Sequence, residues 1–324
     1  MPKFLVTGAA GFIGSTLTAQ LLADEANAVI GLDRLSDYYD VRIKRARLEA
    51  LASSRFTFVE SDLSVSNIAT LLHGVAGVFH LAGQPGVRPS WGDSFLTYVS
   101  DNVVATQRLL EAIAAADAPP RLIYSSSSSI YGDAEKYPVS ESDLPRPISP
   151  YGVTKLAGEH LCSLYASKRG IETVSLRYFT VFGAGQRPDM AFTRLMVKML
   201  SGEEFFVNGD GSQIRDFTHV TDIVSANLAA YYTAGASGRV FNVSGGSSVS
   251  LLEAIRITEE LAGVDARLTH LPGALGDVAR TGGASDDALD VLSWKPRVDL
   301  PTGLTEQLAW VAANLPELRR AINN

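Results

Sequence analysis

Phe4-Leu5-Val6-Thr7-Gly8-Ala9-Ala10-Gly11-Phe12-Ile13-Gly14 begins with a short apolar run, passes through a glycine-punctuated turn and enters a helical pattern. The apolar run reads as a buried strand. Gly8, Gly11 and Gly14 let the turn bring backbone N–H groups and a helix N-terminus against a pyrophosphate. The spacing is GxxGxxG, which is not the strict GxGxxG fingerprint, so its context must carry the reading. That context is strand, turn and helix in the required order, with Asp33 ending the next strand where a ribose-binding carboxylate is expected. The combination predicts a dinucleotide site. Asp33 favours NAD over NADP because a carboxylate repels a 2′-phosphate; Arg34 beside it could pair with that phosphate. NAD is the expectation. Asp62-Leu63 would hold the adenine edge, and Leu81-Ala82-Gly83 would let backbone approach the cofactor.

Outward from this unit, apolar runs at residues 4–6, 28–32, 56–59, 75–79, 121–124 and 173–176 read as buried parallel strands. Helical patterns separate them, including long ones over about 93–116 and 151–168. The alternation predicts an α/β fold: a doubly wound (Rossmann) parallel sheet with right-handed crossovers. After about residue 180 the rhythm loosens, predicting a smaller substrate-binding lobe. The expected division is residues 1–180 for the dinucleotide and 181–324 for the substrate, approximate enough for the chain to cross back.

Composition narrows the function classes. Hydrophobic residues at 46% and charged residues at 19% describe an ordinary globular chain. The formal net charge of −7 gives no basic field for nucleic acid or an anionic membrane. No run of about 18 apolar residues predicts a transmembrane helix, and the N-terminus lacks a secretory pattern, so a cytoplasmic protein is expected. The single cysteine, Cys162, falls in a predicted helix and reads as core. His73, His80, His160, His219 and His270 show no metal-ligand spacing, so no metal is expected.

Tyr151-Gly-Val-Thr-Lys155 carries the candidate chemistry. Tyrosine and lysine four residues apart on a helix share a face, and a nearby ammonium would lower the phenol towards the working range of a general base. The serine run Ser125 to Ser129, at a predicted strand end, supplies a hydroxyl to relay the proton. Such a trio can deprotonate an alcohol while hydride leaves the same carbon for a nicotinamide.

These motifs, in this order, resemble the extended short-chain dehydrogenase/reductase superfamily, and within it the NAD-dependent epimerase/dehydratase family. The resemblance spans nearly the whole chain: TGAAGFIG, the HLAG turn at His80 to Gly83, Asp101-Asn102, SSSSSIYG, YGVTK, Arg177-Tyr178-Phe179 and Arg215-Asp216-Phe217. It implies bound NAD that oxidises the C4 hydroxyl of a nucleotide sugar, Tyr151 as base, and Ser127 and Lys155 as partners. It implies cofactor contacts from Phe12, Ile13, Asn102 and Tyr178 besides the glycines, Asp33, Asp62, Leu63, Leu81, Ala82 and Gly83. It also implies a homodimer through two long helices, with faces near Asn102 and Leu161.

Ser127, Ser128 and Ser129 bear on the branch. Dehydratases of the family carry an acidic pair at these places, and decarboxylases a glutamate; three serines cannot do carboxylate acid–base work. A redox-only 4-epimerase needs neither. Residues 36–42, 83–88 and 177–190 resemble UDP-glucuronate 4-epimerases in particular. That resemblance implies a carboxylate site from Thr180 with Arg88 and Arg187, and a diphosphate grip from Arg215 and Arg280. The expected function is conversion of UDP-glucuronate to UDP-galacturonate. A UDP-glucose or UDP-N-acetylhexosamine 4-epimerase, a UDP-glucuronate decarboxylase and an inactive NAD-binding regulator stay open.

Overall fold

The computed structural model describes residues 1–273, 276 and 278–323. The strands are β1 (Lys3–Thr7), β2 (Ala28–Asp33), β3 (Phe56–Glu60), β4 (Val75–His80), β5 (Arg121–Ser127), β6 (Thr173–Tyr178), β7 (Thr180–Phe182), β8 (Glu204–Asn208), β9 (Ile214–His219), β10 (Val240–Val243), β11 (Ser247–Ser250) and β12 (Arg267–Leu271). The first five helices are α1 (Phe12–Ala23), α2 (Val41–Ala50), α3 (Phe95–Tyr98), α4 (Ala105–Ala114) and α5 (Pro150–Arg169). The others are α6 (Ala191–Leu200), α7 (Val220–Tyr232), α8 (Leu251–Ala262), α9 (Asp286–Leu292), α10 (Leu300–Ala313) and α11 (Leu315–Asn323).

Along β1 the side chains alternate, as the two-residue strand period requires. Phe4 and Val6 join Leu17 and Leu21 of α1 and Ile223 of α7 on one face. Leu5 joins Leu109 of α4 and Cys162 of α5 on the other. Both faces being covered, the sheet is parallel throughout: β10-β6-β5-β4-β1-β2-β3. All six strands read from the sequence are in it. β10 completes its edge although it comes from beyond residue 180, so the chain returns to the first layer after entering the second. Cys162 is fully buried and burial pushes its thiol up, as a core cysteine requires.

The smaller lobe holds the three-stranded sheet β11-β9-β7 and the pair β12-β8, with a core of Phe182, Phe192, Met196, Phe205, Phe217 and Leu304. The long helix expected over residues 93–116 is one run of changing pitch: α3, a π-helical stretch at Val99–Val104, then α4. Such bulges often mark functional positions. Among the described residues no helix is long and apolar enough to cross a membrane.

Candidate active site

The glycine turn closes on itself tightly. Gly8 has φ +72, and a Cβ on Gly14 would lie 2.1 Å from the Gly8 carbonyl oxygen. Only glycine permits that approach, which leaves the first turn of α1 bare towards the cavity. Asp33 braces the turn: its carboxylate accepts from Ala10 N at 3.1 Å and from Leu35 N at 2.8 Å. A cavity of about 430 Å³ runs from here to the C-terminal ends of β4, β5 and β6. A parallel sheet binds ligands at that edge, where the strand order reverses between β1 and β4.

Gly8, Gly11, Phe12, Ile13, Gly14, Asp33, Asp62, Leu63, Leu81, Ala82, Gly83 and Tyr178 all line the cavity. Asp62 is turned towards Ser64 and Arg34. The Tyr178 hydroxyl is already shared with Ser125 and Asn227, so only its ring is offered. Asn102 is a correction. It lies outside the lining, fully buried, with Oδ1 accepting from Gln84 N at 2.7 Å and Nδ2 donating to Gln84 O and Thr154 Oγ1. It pins the Gly83–Gln84 turn to α5 and does not face a cofactor.

Helix α5 delivers the candidate base. Ser149 caps it by accepting from Gly152 N at 3.1 Å, Pro150 starts it, and Gly170 ends it with φ +68. A Cβ on Gly152 would sit 2.5 Å from the Ser129 carbonyl oxygen, so the helix start lies hard against the serine run. Tyr151, Lys155 and Glu159 then follow at one-turn spacing on the face turned to β5. Each meets one serine. Ser127 lies beside Tyr151 in the cavity lining, Lys155 Nζ donates to Ser125 O at 2.8 Å, and Ser126 Oγ donates to Glu159 at 2.7 Å.

The electrostatics correct one expectation. Burial raises Tyr151 above its ordinary value, and the groups that pull it back are Ser127 and the Arg187 guanidinium. Lys155 is directed at the Ser125 carbonyl and packs 5.3 Å from the Tyr124 ring centroid, where burial lowers it to about 8. Sharing a helix face put the two side chains in one row but aimed the ammonium at the strand end.

Ser127, Ser128, Ser129, Thr180 and Arg187 line the same end of the cavity as Tyr151. Arg187 is clamped to Asp189 at 2.9 and 3.0 Å and lies 5.9 Å over the Tyr38 ring. Among the described residues, the carboxylates lining the cavity are Asp33, Asp62 and Asp101, all at its β2 end. Arg88, Arg215 and Arg280 do not line it. Arg88 instead reaches Asn208 at the end of β8, with 2.7 and 3.1 Å to the amide oxygen in the orientation that satisfies both groups. Arg215 is the second residue of β9, next to Ile214, which bridges to Arg280, itself 4.9 Å over the Tyr137 ring. Three arginines from distant segments thus gather around the β8–β9 connection.

Sequence reasoning missed several lining residues. Tyr38 and Tyr39 come from residues 36–42, which the sequence offered as a resemblance without a role, and Lys44 lies just beyond them. Lys44 is buried and donates to Ser36 O at 2.8 Å and Ser36 Oγ at 3.0 Å. Asp101 belongs to the Asp101-Asn102 motif but had no role assigned; it lines the cavity from the π-helical stretch.

Comparison with known proteins agrees with this geometry. Residues 4–244 match the NAD dependent epimerase/dehydratase family. An uncharacterised UDP-glucose epimerase of Bacillus subtilis is 40% identical, covering 96% of this chain and 98% of that protein. UDP-glucuronate 4-epimerase 4 of Arabidopsis thaliana is 38% identical, over 94% of this chain and 74% of that protein. The crystal structure of UDP-glucuronic acid 4-epimerase from Bacillus cereus, with UDP-glucuronic acid and NAD, superposes with TM-score 0.93 at 40% identity, covering 96% and 99% of the two chains.

Proposed function

The chain belongs to the NAD dependent epimerase/dehydratase family, and on that premise we propose that it converts UDP-glucuronate to UDP-galacturonate by inverting C4. It is an NAD-dependent isomerase acting on a UDP-sugar. The residues present fit the cofactor: the bare glycine cradle suits a pyrophosphate, and Asp33 stands where a ribose hydroxyl would be held. The observation that carries the reading is the cavity's catalytic end, where Tyr151 meets serines and a threonine, the carboxylates among the described lining residues all standing at the other, β2 end.

When bound, NAD supplies the acceptor and later the donor of a hydride at its nicotinamide, whose oxidised ring also brings a positive charge. Tyr151 takes the C4 hydroxyl proton through Ser127 and returns it after the ring has turned. Lys155, fixed by the Ser125 carbonyl, presents its remaining donors to the ribose and holds the tyrosine's helix turn in place. With no acid at Ser127 to Ser129, water elimination has no proton donor there. Arg88, Arg215 and Arg280 supply guanidinium forks suited to a diphosphate around the β8–β9 connection.

Oxidation at C4 makes a β-keto acid, which loses CO₂ when its C5–C6 bond aligns with the carbonyl π system. Hydroxyls of Ser128, Ser129 and Thr180, with Arg187 nearby, can hold the carboxylate out of that alignment. The test is product analysis by NMR with UDP-glucuronate and with UDP-glucose. Wild-type protein should form UDP-galacturonate without net NADH. Thr180→Val should lose about 10–100-fold more activity on UDP-glucuronate than on UDP-glucose, the scale of one charge-assisted hydrogen bond. NADH released in step with product, or a wild-type preference for UDP-glucose, would overturn the assignment.

A homodimer through the same two helices accompanies the proposal. Asn102 is buried in its brace and Leu161 packs partly into the core. The exposed apolar residues on the same helices are Phe95, Leu96, Val104, Val153 and Leu164, with Leu96 76% and Leu164 50% exposed. Val153 and Leu164, three turns apart on α5, share one face that a second copy would cover. Leu164→Arg should shift the particle mass from dimer towards monomer in light scattering behind size-exclusion chromatography.

A further inference from the structure

Arg34 follows Asp33 at the end of β2 and lines the cofactor cavity. A guanidinium there is what a ribose 2′-phosphate needs, so the sequence pits Asp33 against Arg34 over which cofactor enters. The fold commits that guanidinium elsewhere. Nη1 and Nη2 donate to the two oxygens of Asp101 at 2.8 and 2.6 Å, a bidentate pair. Nη1 also donates to Asp62 Oδ2 at 3.2 Å. Asp101 is the stronger holder: its side chain is 9% exposed against 34% for Asp62, whose other oxygen is occupied by Ser64.

The backbone supports the division of labour. Leu35 takes a left-handed φ of 52° and donates to Asp33 Oδ1, so the chain turns sharply just after Arg34. Asp33 stays against the glycine turn while Arg34 spans to the helix carrying Asp101. The other cation at this end, Lys44, donates to Ser36. Asp33, Asp62 and Asp101 line this end with Arg34 and Lys44, while Arg47 stands behind the glycine turn, its guanidinium committed to Ala10 O at 3.2 Å and the Tyr39 hydroxyl at 2.7 Å.

We propose that Asp101 is a specificity-determining residue: by holding Arg34 in a bidentate pair, it keeps the guanidinium from a 2′-phosphate and so excludes NADP. Asp62 backs it. The proposal rests on the cavity's being the NAD site. It predicts that removing Asp33 alone gains little NADP binding, because the arginine that would receive the phosphate is already taken.

Dissociation constants for NAD and NADP, measured by calorimetry, test this. In an Asp33→Ala background, adding Asp101→Asn should move the NADP-to-NAD affinity ratio towards NADP by about 10–100-fold, the scale of one recovered guanidinium–phosphate contact. Adding Arg34→Ala to that pair should abolish the gain. A ratio that Asp101→Asn leaves unchanged, or a gain that persists without Arg34, would overturn the proposal. A second measurement avoids altering Asp101: Arg34→Ala alone in the Asp33→Ala background should leave NADP affinity where it was. A fall in that variant would show that Arg34 already reaches the phosphate. Wild-type protein binding neither cofactor would instead sink the cavity assignment itself.

Discussion

Replacing Tyr151 with phenylalanine should leave the fold and NAD binding in place and lower C4 epimerisation by about 10²–10⁴-fold, the usual worth of a positioned general base. The ring survives the change, so its edge-on packing against Tyr98, with centroids 6.2 Å apart, is kept. What goes is the ionisable hydroxyl, whose neighbour Ser127 helps to lower it. Because burial holds the phenol above its ordinary value, wild-type enzyme should work on the rising limb of the Tyr151 titration near neutral pH. Its kcat/KM should therefore climb as pH rises through neutrality, and the phenylalanine variant should lose that slope along with its rate. Near-normal turnover in the variant, or an unchanged slope, would make Tyr151 a bystander. Steady-state rates from pH 6 to 9, with product followed by NMR, decide the matter.

Arg177→Met should destabilise the protein by about 3–5 kcal/mol, the cost of leaving a buried charge without its partner. Glu159 lies one turn beyond Lys155 on α5, and Arg177 stands on β6 opposite Ser126. The guanidinium donates to the two Glu159 oxygens at 3.0 and 2.6 Å, with side chains only 5% and 4% exposed. It also donates to the Tyr131 hydroxyl at 2.6 Å. Methionine fills most of the volume but leaves the carboxylate with Ser126 as its remaining partner. The variant's urea midpoint should fall with its m-value unchanged. Arg177→Met with Glu159→Leu should recover much of the loss, because an apolar pair needs no compensation. A single-variant loss below about 1 kcal/mol would show that the pair contributes little to holding α5 against the serine strand.

The site was legible in the sequence wherever chemistry is encoded by local spacing. Glycines every three residues after an apolar run, Asp33 one unit later, and tyrosine four residues before lysine all mean the same thing in any protein that makes the strand or helix they require. Six of the seven strands of the central sheet were readable for the same reason, since parallel strands buried on both faces are continuous apolar runs. The short strands β7, β9 and β11 carry serine, threonine, arginine and aspartate, and no such run announces them.

Partnerships across distance were decided only by the tertiary structure. Asn102 and Asp101 are neighbours in a motif, yet the π-helical stretch turns Asp101 to the cavity and Asn102 into a brace for Gln84. Lys155 was expected to lower Tyr151; the packing of α5 on β5 aims it at a carbonyl and leaves that role to Ser127 and Arg187, 36 residues further on. Arg34 looked like a phosphate ligand until the fold brought Asp101, 67 residues away, within hydrogen-bond reach. Sequence spacing sets which groups share a strand end or a helix face. Which group a long, flexible, charged side chain then meets depends on how the layers pack, because its several rotamers let it reach partners on any neighbouring element.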